Sequence, residues 1–192
     1  AGTDVLAKMA RVIERWVEET SLPVLLCPEV TKNLAQHREK LLPMMDAQVR
    51  DKVHFLDHFW LPDEAATVYR DAAAVFSGEM HSVILSLAAG TPAMLFRLQA
   101  TGDAADALAN GLNNDEHVMS DGLKGRMMSD LGLSDWLIYN SEQADIKAVA
   151  DTLVHIFEDK TTTHRTMTAF TERLKTFQTE TMKTVRTAIS PG

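Results

Sequence analysis

The sequence predicts an α/β fold, a doubly wound and mainly parallel sheet with helices on both faces. Three observations predict it. Short apolar runs alternate with helical segments at intervals of roughly 20 to 30 residues, the rhythm of βαβ units. Residues 72–96 hold one such unit almost whole: an apolar run, Ala72 to Phe76, a Ser77-Gly78 turn, an Ile-, Leu- and Ala-rich helix, a Gly90-Thr91-Pro92 stop and a second apolar run, Ala93 to Phe96. Finally, 192 residues with 45% hydrophobic content suffice for one well-buried core.

The elements follow in order. Val5 to Glu19 places Val5, Leu6, Met9, Val12, Ile13, Trp16 and Val17 at helical spacing, with Thr3 or Asp4 to cap it and Pro23 after its end. Pro23 to Cys27 is a short buried strand. Asn33 to Lys52 reads as one helix with Pro43 as an interruption or kink, and Val53 to Leu56 as a second strand. Leu61-Pro62-Asp63-Glu64 opens a helix that runs through Arg70, with proline and acids in the first turn where the dipole favours them. The 72–96 unit comes next. Gln99 to Ser120, rich in Ala, Asp, Asn and Gly, breaks the rhythm and reads as a loop insert. Asp121 to Leu131 is helical and stops at Gly132. Trp136 to Tyr139 is a last strand, Ser141 to Glu158 an amphipathic helix, and Thr161 to Ala188 a longer one with few strong apolar positions. The chain is thus expected to be a single α/β domain with a C-terminal helix in 161–192. Because it starts on a helix, with Ala1-Gly2-Thr3 resembling the loop after a strand, it is expected to be part of a longer protein.

Composition excludes several classes. A net charge of −8 with no basic stripe argues against nucleic acid as a partner. Cys27 is alone, which rules out a disulfide framework and a cysteine-based zinc site, and it reads as a small buried hydrophobe. No apolar run has the length of a membrane span, so a soluble, cytoplasmic domain with no transmembrane segment is expected. His54 and His58 are four apart, but on a strand–loop segment that spacing does not make a zinc face, and no metal site is expected.

The candidate chemistry sits where the first strand of the 72–96 unit hands over to its helix. In open α/β sheets, ligands bind at the carboxyl ends of strands, where helix N-termini present N–H groups. His81, in the first helical turn, can hydrogen-bond a phosphate or carboxylate or act as a general acid; structurally, it can bond a nearby carbonyl. Glu79 can orient His81, serve as a second acid/base group, or simply be a helix-start acid. Ser77 and Ser82 can donate to an anion or cap the helix. Lys124 and Arg126 open the helix after the insert, as anion ligands or as solvated charges.

The block Ser77-Gly78-Glu79-Met80-His81-Ser82, with Leu85, Ala88 and Gly90-Thr91-Pro92, resembles the motif of the polysaccharide pyruvyl transferase family, usually Ser-x-Arg-Leu-His before an apolar helix and Gly-x-Pro. Lys124-Gly125 and Asp130 to Leu137 resemble further segments, so that the likeness runs from about Thr3 to Glu142. The resemblance implies a Rossmann-like domain of the GT-B C-terminal type, working with an N-terminal domain of the same protein. It implies transfer of a pyruvyl group from phosphoenolpyruvate onto a sugar of a cell-surface glycan or exopolysaccharide precursor, as a ketal, with no cofactor. It maps the family's histidine to His81, its leucine to Met80 and its lysine to Lys124. Together with the reading of the residues themselves, the candidates are His81 and Glu79 for catalysis and Ser77, Gly78, Met80, Ser82, Arg97, Lys124 and Arg126 for substrate binding. One departure stands out: Glu79 occupies the place of the family's arginine, the wrong sign for gripping an anion. Arg97, Lys124 and Arg126 are the cations that can compensate. The alternatives are a GT-B-like sugar-nucleotide enzyme, in which Glu79 bonds a sugar or ribose hydroxyl, and a non-catalytic relative that binds a glycan or a partner protein.

Overall fold

The computed structural model describes residues 3–27, 35–97, 127–139 and 145–189. Helix α1 (Thr3–Thr20) buries Leu6, Ala10, Ile13 and Val17 along one face and Val12 and Trp16 beside them. So wide an apolar stripe must be covered on more than one side. Strand β1 (Val24–Leu26) follows, then β2 (Val53–Phe55), paired in parallel with Val24 opposite Val53 and Leu26 opposite Phe55.

Between these strands the single helix expected over 33–52 does not form. His37–Leu41 is a π-type turn and Leu42–Met44 a 3₁₀ turn. Met45 and Asp46 are extended, and a new short helix, α2 (Ala47–Arg50), starts from Asp46. Pro43 explains the break, since it has no N–H to bond back along the helix and its ring crowds the preceding turn. The backbone N–H groups of Val49 and Arg50 then bond to the Asp46 carbonyl, each at 3.0 Å.

Helix α3 (Pro62–Asp71) leads to β3 (Val75–Ser77), α4 (Met80–Ala88) and β4 (Ala93–Arg97). Strand β5 (Leu137–Tyr139) completes the order β3-β4-β5, all parallel. Two boundaries differ from expectation. β3 starts at Val75 instead of Ala72, because three successive alanines offer no branched side chain to a pleated surface, and they bend away from α3. At the other end, Ser134–Trp136 is a 3₁₀ turn that buries Trp136 before β5 begins. Among the described residues the sheet is therefore in two parallel pieces, β1-β2 and β3-β4-β5, and one core joins them. The 99–120 insert lies outside the described residues.

Helix α5 (Ile146–Glu158) covers the other side of α1. Arg15 Nε donates to Asp151 Oδ1 at 3.2 Å across the contact, and the Trp16 and Phe157 rings meet edge-on at 5.5 Å. The centre of the core is fully buried: Leu6 and Val12 of α1, Val83 of α4, Met94 and Leu95 of β4, with Leu41, Met128 and Leu133. A smaller cluster, Trp60, Ala65 and Tyr69, packs under α3, its two large rings edge-on at 5.3 Å. Helix α6 (Lys160–Ile189) closes the chain. Asp159 caps it, its Oδ1 accepting the Thr162 N–H at 2.9 Å.

Two glycines are required by their backbones. Gly90 and Gly132 have φ of +87° and +77°, a region that costs an L-residue roughly 1–2 kcal/mol. A Cβ on Gly90 meets open space, whereas one on Gly132 runs into the Arg173 guanidinium. Gly90→Ala and Gly132→Ala are therefore each expected to cost about 1 kcal/mol in chemical denaturation, since the Arg173 guanidinium ends a flexible, exposed side chain that can swing aside. Asp159 gives an acid prediction. The Thr162 N–H bond, then the Thr162 side chain, hold its carboxyl below the ordinary 3.8. A lowered folded-state value means stabilisation that is complete above 3.8 and lost as pH falls through the folded value. Asp159→Ala should lower the thermal midpoint at neutral pH, and that difference should vanish as the buffer is taken below 3.8.

Candidate functional site

The β3–α4 junction is built by three local devices. First, the Ser77 hydroxyl, at the end of β3, accepts the Glu79 N–H at 3.0 Å and so shapes the turn. Second, Gly78 passes close to β4: a Cβ there would stand 3.3 Å from the Phe96 carbonyl oxygen. The Phe76 and Phe96 rings pack beside it at 4.8 Å. Third, Glu79 is extended (φ −111°, ψ 129°) and is the N-cap of α4, its carbonyl taking the Val83 N–H while its side chain makes no capping bond. The N–H groups of the first helical turn have no acceptor within their own helix. They are directed past the carboxyl end of β3, with the positive end of the helix dipole.

The rotation of α4 is fixed by what it buries. Met80, Ser82, Val83, Ser86 and Leu87 face inward. At its far end the Thr91 N–H bonds the Ser86 carbonyl and the Gly90 N–H that of Leu87, a Schellman stop. The Thr91 hydroxyl then ties the stop to the Tyr69 carbonyl at 2.7 Å. His81 consequently lies on the outer stripe with Ile84 and Ala88, exposed, in the first turn of the helix. Because side chains of a helix lean toward its N-terminus, His81 is placed to serve a ligand seated over the junction, not one inside the core. Glu79 is exposed beside it.

The sequence candidates divide accordingly. Ser77, Gly78, Glu79, Met80, His81 and Ser82 come together at one turn, with different parts. Ser77 and Gly78 shape it, while Met80 and Ser82 are buried and anchor the helix. That leaves Glu79, His81 and the turn's N–H groups as the surfaces a ligand can reach. Arg97 closes β4. Since Ser77 pairs with Leu95, the β4 backbone at Arg97 extends two residues further along the same edge, past the Gly78–Glu79 turn. Lys124 and Arg126 lie outside the described residues.

At the carboxyl end of β2 the structure joins groups that the sequence did not link. His58 Nε2 lies 2.6 Å from Glu64 Oε1, and Arg38 pairs with Asp57 while its guanidinium covers the Phe55 ring at 5.1 Å. Five residues and a helix start separate His58 from Glu64, which no local spacing rule reports. Among the described residues no group of three or more His, Cys, Asp or Glu could hold a metal ion. Nor is any helix there long and apolar enough to cross a membrane. Cys27, expected to be buried, is half-buried at the end of β1.

The family model for polysaccharide pyruvyl transferase matches residues 2–98. The chain belongs to that family. The matched residues take in α1 through β4, and so the whole Ser77–His81 turn, the Gly90-Thr91-Pro92 stop and Arg97 of this family member. They end before Lys124 and the Asp130–Leu137 segment. No curated protein and no solved structure matches the chain.

His81 is exposed, so its replacement should leave folding almost untouched. His81→Ala should leave the free energy of unfolding within about 0.5 kcal/mol of wild type. Leu87→Ala, on the buried face of the same helix, should cost roughly 2–5 kcal/mol in the same denaturation experiment.

Proposed function

We propose that this polysaccharide pyruvyl transferase-family domain binds phosphoenolpyruvate at the β3–α4 junction and transfers its pyruvyl group to two hydroxyls of a glycan or glycan precursor. The observation that carries the reading is His81 in the first turn of α4, beside the turn's outward N–H groups and inside the family match. A helix N-terminus of nine-residue α4 suits a phosphate or carboxylate.

The chemistry assigns a part to each group. His81 in its imidazolium form protonates the methylene carbon of the enolpyruvate, which becomes the methyl group, and positive charge develops at C2. One sugar hydroxyl adds to C2, and Glu79 takes its proton. The C2–O bond to phosphate breaks and phosphate leaves with the electron pair, held by the helix N-terminus and by the cation of Arg97, Lys124 or Arg126. The second hydroxyl adds to C2 and passes its proton to His81, left neutral by the first step, which closes the ketal; the proton on Glu79 leaves with the phosphate. In this scheme Glu79 is a base toward the acceptor, a role that suits an anion where the family's arginine would grip the donor. As in the GT-B arrangement, a second domain of the same protein carries the acceptor side of the cleft.

Glu79 also supports a second reading, a relative that binds a sugar or sugar nucleotide through its hydroxyls without transferring pyruvate. Thermal-shift binding of wild type and His81→Ala, with phosphoenolpyruvate and a panel of UDP- and GDP-sugars, separates the two. Stabilisation by phosphoenolpyruvate that is lost in His81→Ala is the expected result. A response to sugar nucleotides alone moves the domain to the second reading. Silence from every ligand rejects a small-molecule donor site at this junction.

A further inference from the structure

Helix α6 runs for 30 residues, about 45 Å at 1.5 Å per residue. Its first half is held to the domain: Phe170 is buried, Met167 packs on the core, and Arg173 lies over Gly132. Beyond Arg173 every residue of the helix is exposed. The apolar pattern nevertheless continues. At 100° per residue, Leu174, Phe177, Met182, Val185 and Ile189 fall with Met167 and Phe170 inside one arc of about 140°. All five are exposed, Ile189 at 72%. Eleven threonines, poor helix formers, lie in the same helix, several bonding back to the carbonyl four residues before. An isolated helical arm of that composition is weak in water.

Charge decides what covers the stripe. Helix α6 has six Lys and Arg against two Glu, a net of +4, while the rest of the chain has 13 basic against 25 acidic residues, a net of −12, giving the −8 of the whole. The exposed half of α6, Leu174–Ile189, has Lys175, Lys183 and Arg186 against Glu180, so pairing arm with arm sets +2 against +2. An anionic bilayer would meet the −12 of the remaining chain. The acidic body of a second copy has the complementary sign, and it also offers exposed apolar side chains. Phe59 and Leu61, 63% and 65% exposed, stand either side of buried Trp60 in the loop after β2. Asp63 is exposed in the first turn of α3, next to them in sequence.

We infer that two copies of this chain exchange α6 arms, the Leu174–Ile189 stripe of each seating on the Phe59–Leu61 loop of the other. The exchange is reciprocal, each copy giving its arm to the other's loop, and reciprocity makes it two-fold and closes it as a dimer.

The test is sedimentation velocity on the whole chain across the micromolar range, at low and high salt. Two double variants, Phe177→Asp/Val185→Asp and Phe59→Asp/Leu61→Asp, change only exposed positions, and far-UV circular dichroism confirms their folding. The expected result is a concentration-dependent dimer, weaker at high salt. Each double variant should raise the dissociation constant by about thirtyfold or more. Mixing the two variants should restore association, since one intact arm then meets one intact loop. A wild-type monomer throughout overturns the proposal, as does a dimer indifferent to Phe177→Asp/Val185→Asp. Loss of the dimer in the arm variant alone overturns the receiving loop in favour of α6–α6 pairing. A monomer that co-floats with anionic vesicles assigns the stripe to a membrane instead.

Discussion

Parallel pairing is the constraint on which the rest of this structure depends. A strand that must lie parallel to its predecessor has to be brought back by a crossover, and between β3 and β4 that crossover is a helix packed on the sheet. β3, α4 and β4 show the consequence most directly. The chain leaves β3 at Ser77, turns within two residues and enters α4, so the N-terminus of that helix is delivered to the carboxyl edge of the sheet. The Schellman stop at Gly90 and the bond from Thr91 to the Tyr69 carbonyl then fix where α4 ends. With both ends tied and the Met80–Val83–Leu87 face buried, the direction of His81 follows from packing alone.

Much of this was legible in the sequence, and the reasons are local. Ser77-Gly78 before an apolar helix, and Gly90-Thr91-Pro92 after it, are signals whose meaning is set by backbone geometry within a few residues. The same holds for Gly132, whose positive φ the sequence marks as a helix end. What was not legible depends on sums of weak terms or on distant partners. The 35–50 segment has helical composition, but whether Pro43 kinks a helix or splits it depends on whether the residues beyond can start afresh, and Asp46 lets them. The His58–Glu64 and Arg15–Asp151 pairs join residues by tertiary approach, which spacing does not encode. The apolar stripe of α6 is diluted by threonine, so that helical periodicity is visible while the exposure of its second half is not.

Electrostatics at the candidate site pull in two directions. The first turn of α4 favours an anion, and Glu79 at the N-cap is itself an anion at the same place. Its side chain makes no capping bond, but its charge lies where the dipole draws an anion, and a phosphate bound there would have to compete with it. Where an arginine would add to the dipole's attraction, Glu79 subtracts from it. An exposed carboxylate can swing aside or take a proton, and a proton from a sugar hydroxyl is the one the ketal chemistry must dispose of. Under the proposed transfer, the substitution that would weaken the donor grip would also supply a base, and donor affinity would have to come from a cation elsewhere along the edge.

The charge of the chain is arranged along the same lines. Only two of the 27 acidic residues fall on α6, against six of the 19 basic ones, so the two parts of one molecule are electrostatically unlike. Within a copy, the first half of α6 is held to the body, with Phe170 buried and Arg173 lying over Gly132. The second half carries the same apolar stripe and the same excess of positive charge past the edge of the core. Helical periodicity held in register over seven apolar positions, two of them on the core and five in solvent, is what a single continuous contact surface requires. The boundary between buried and exposed is thus set by where this copy's body ends, while the chemistry of the stripe continues unchanged across it.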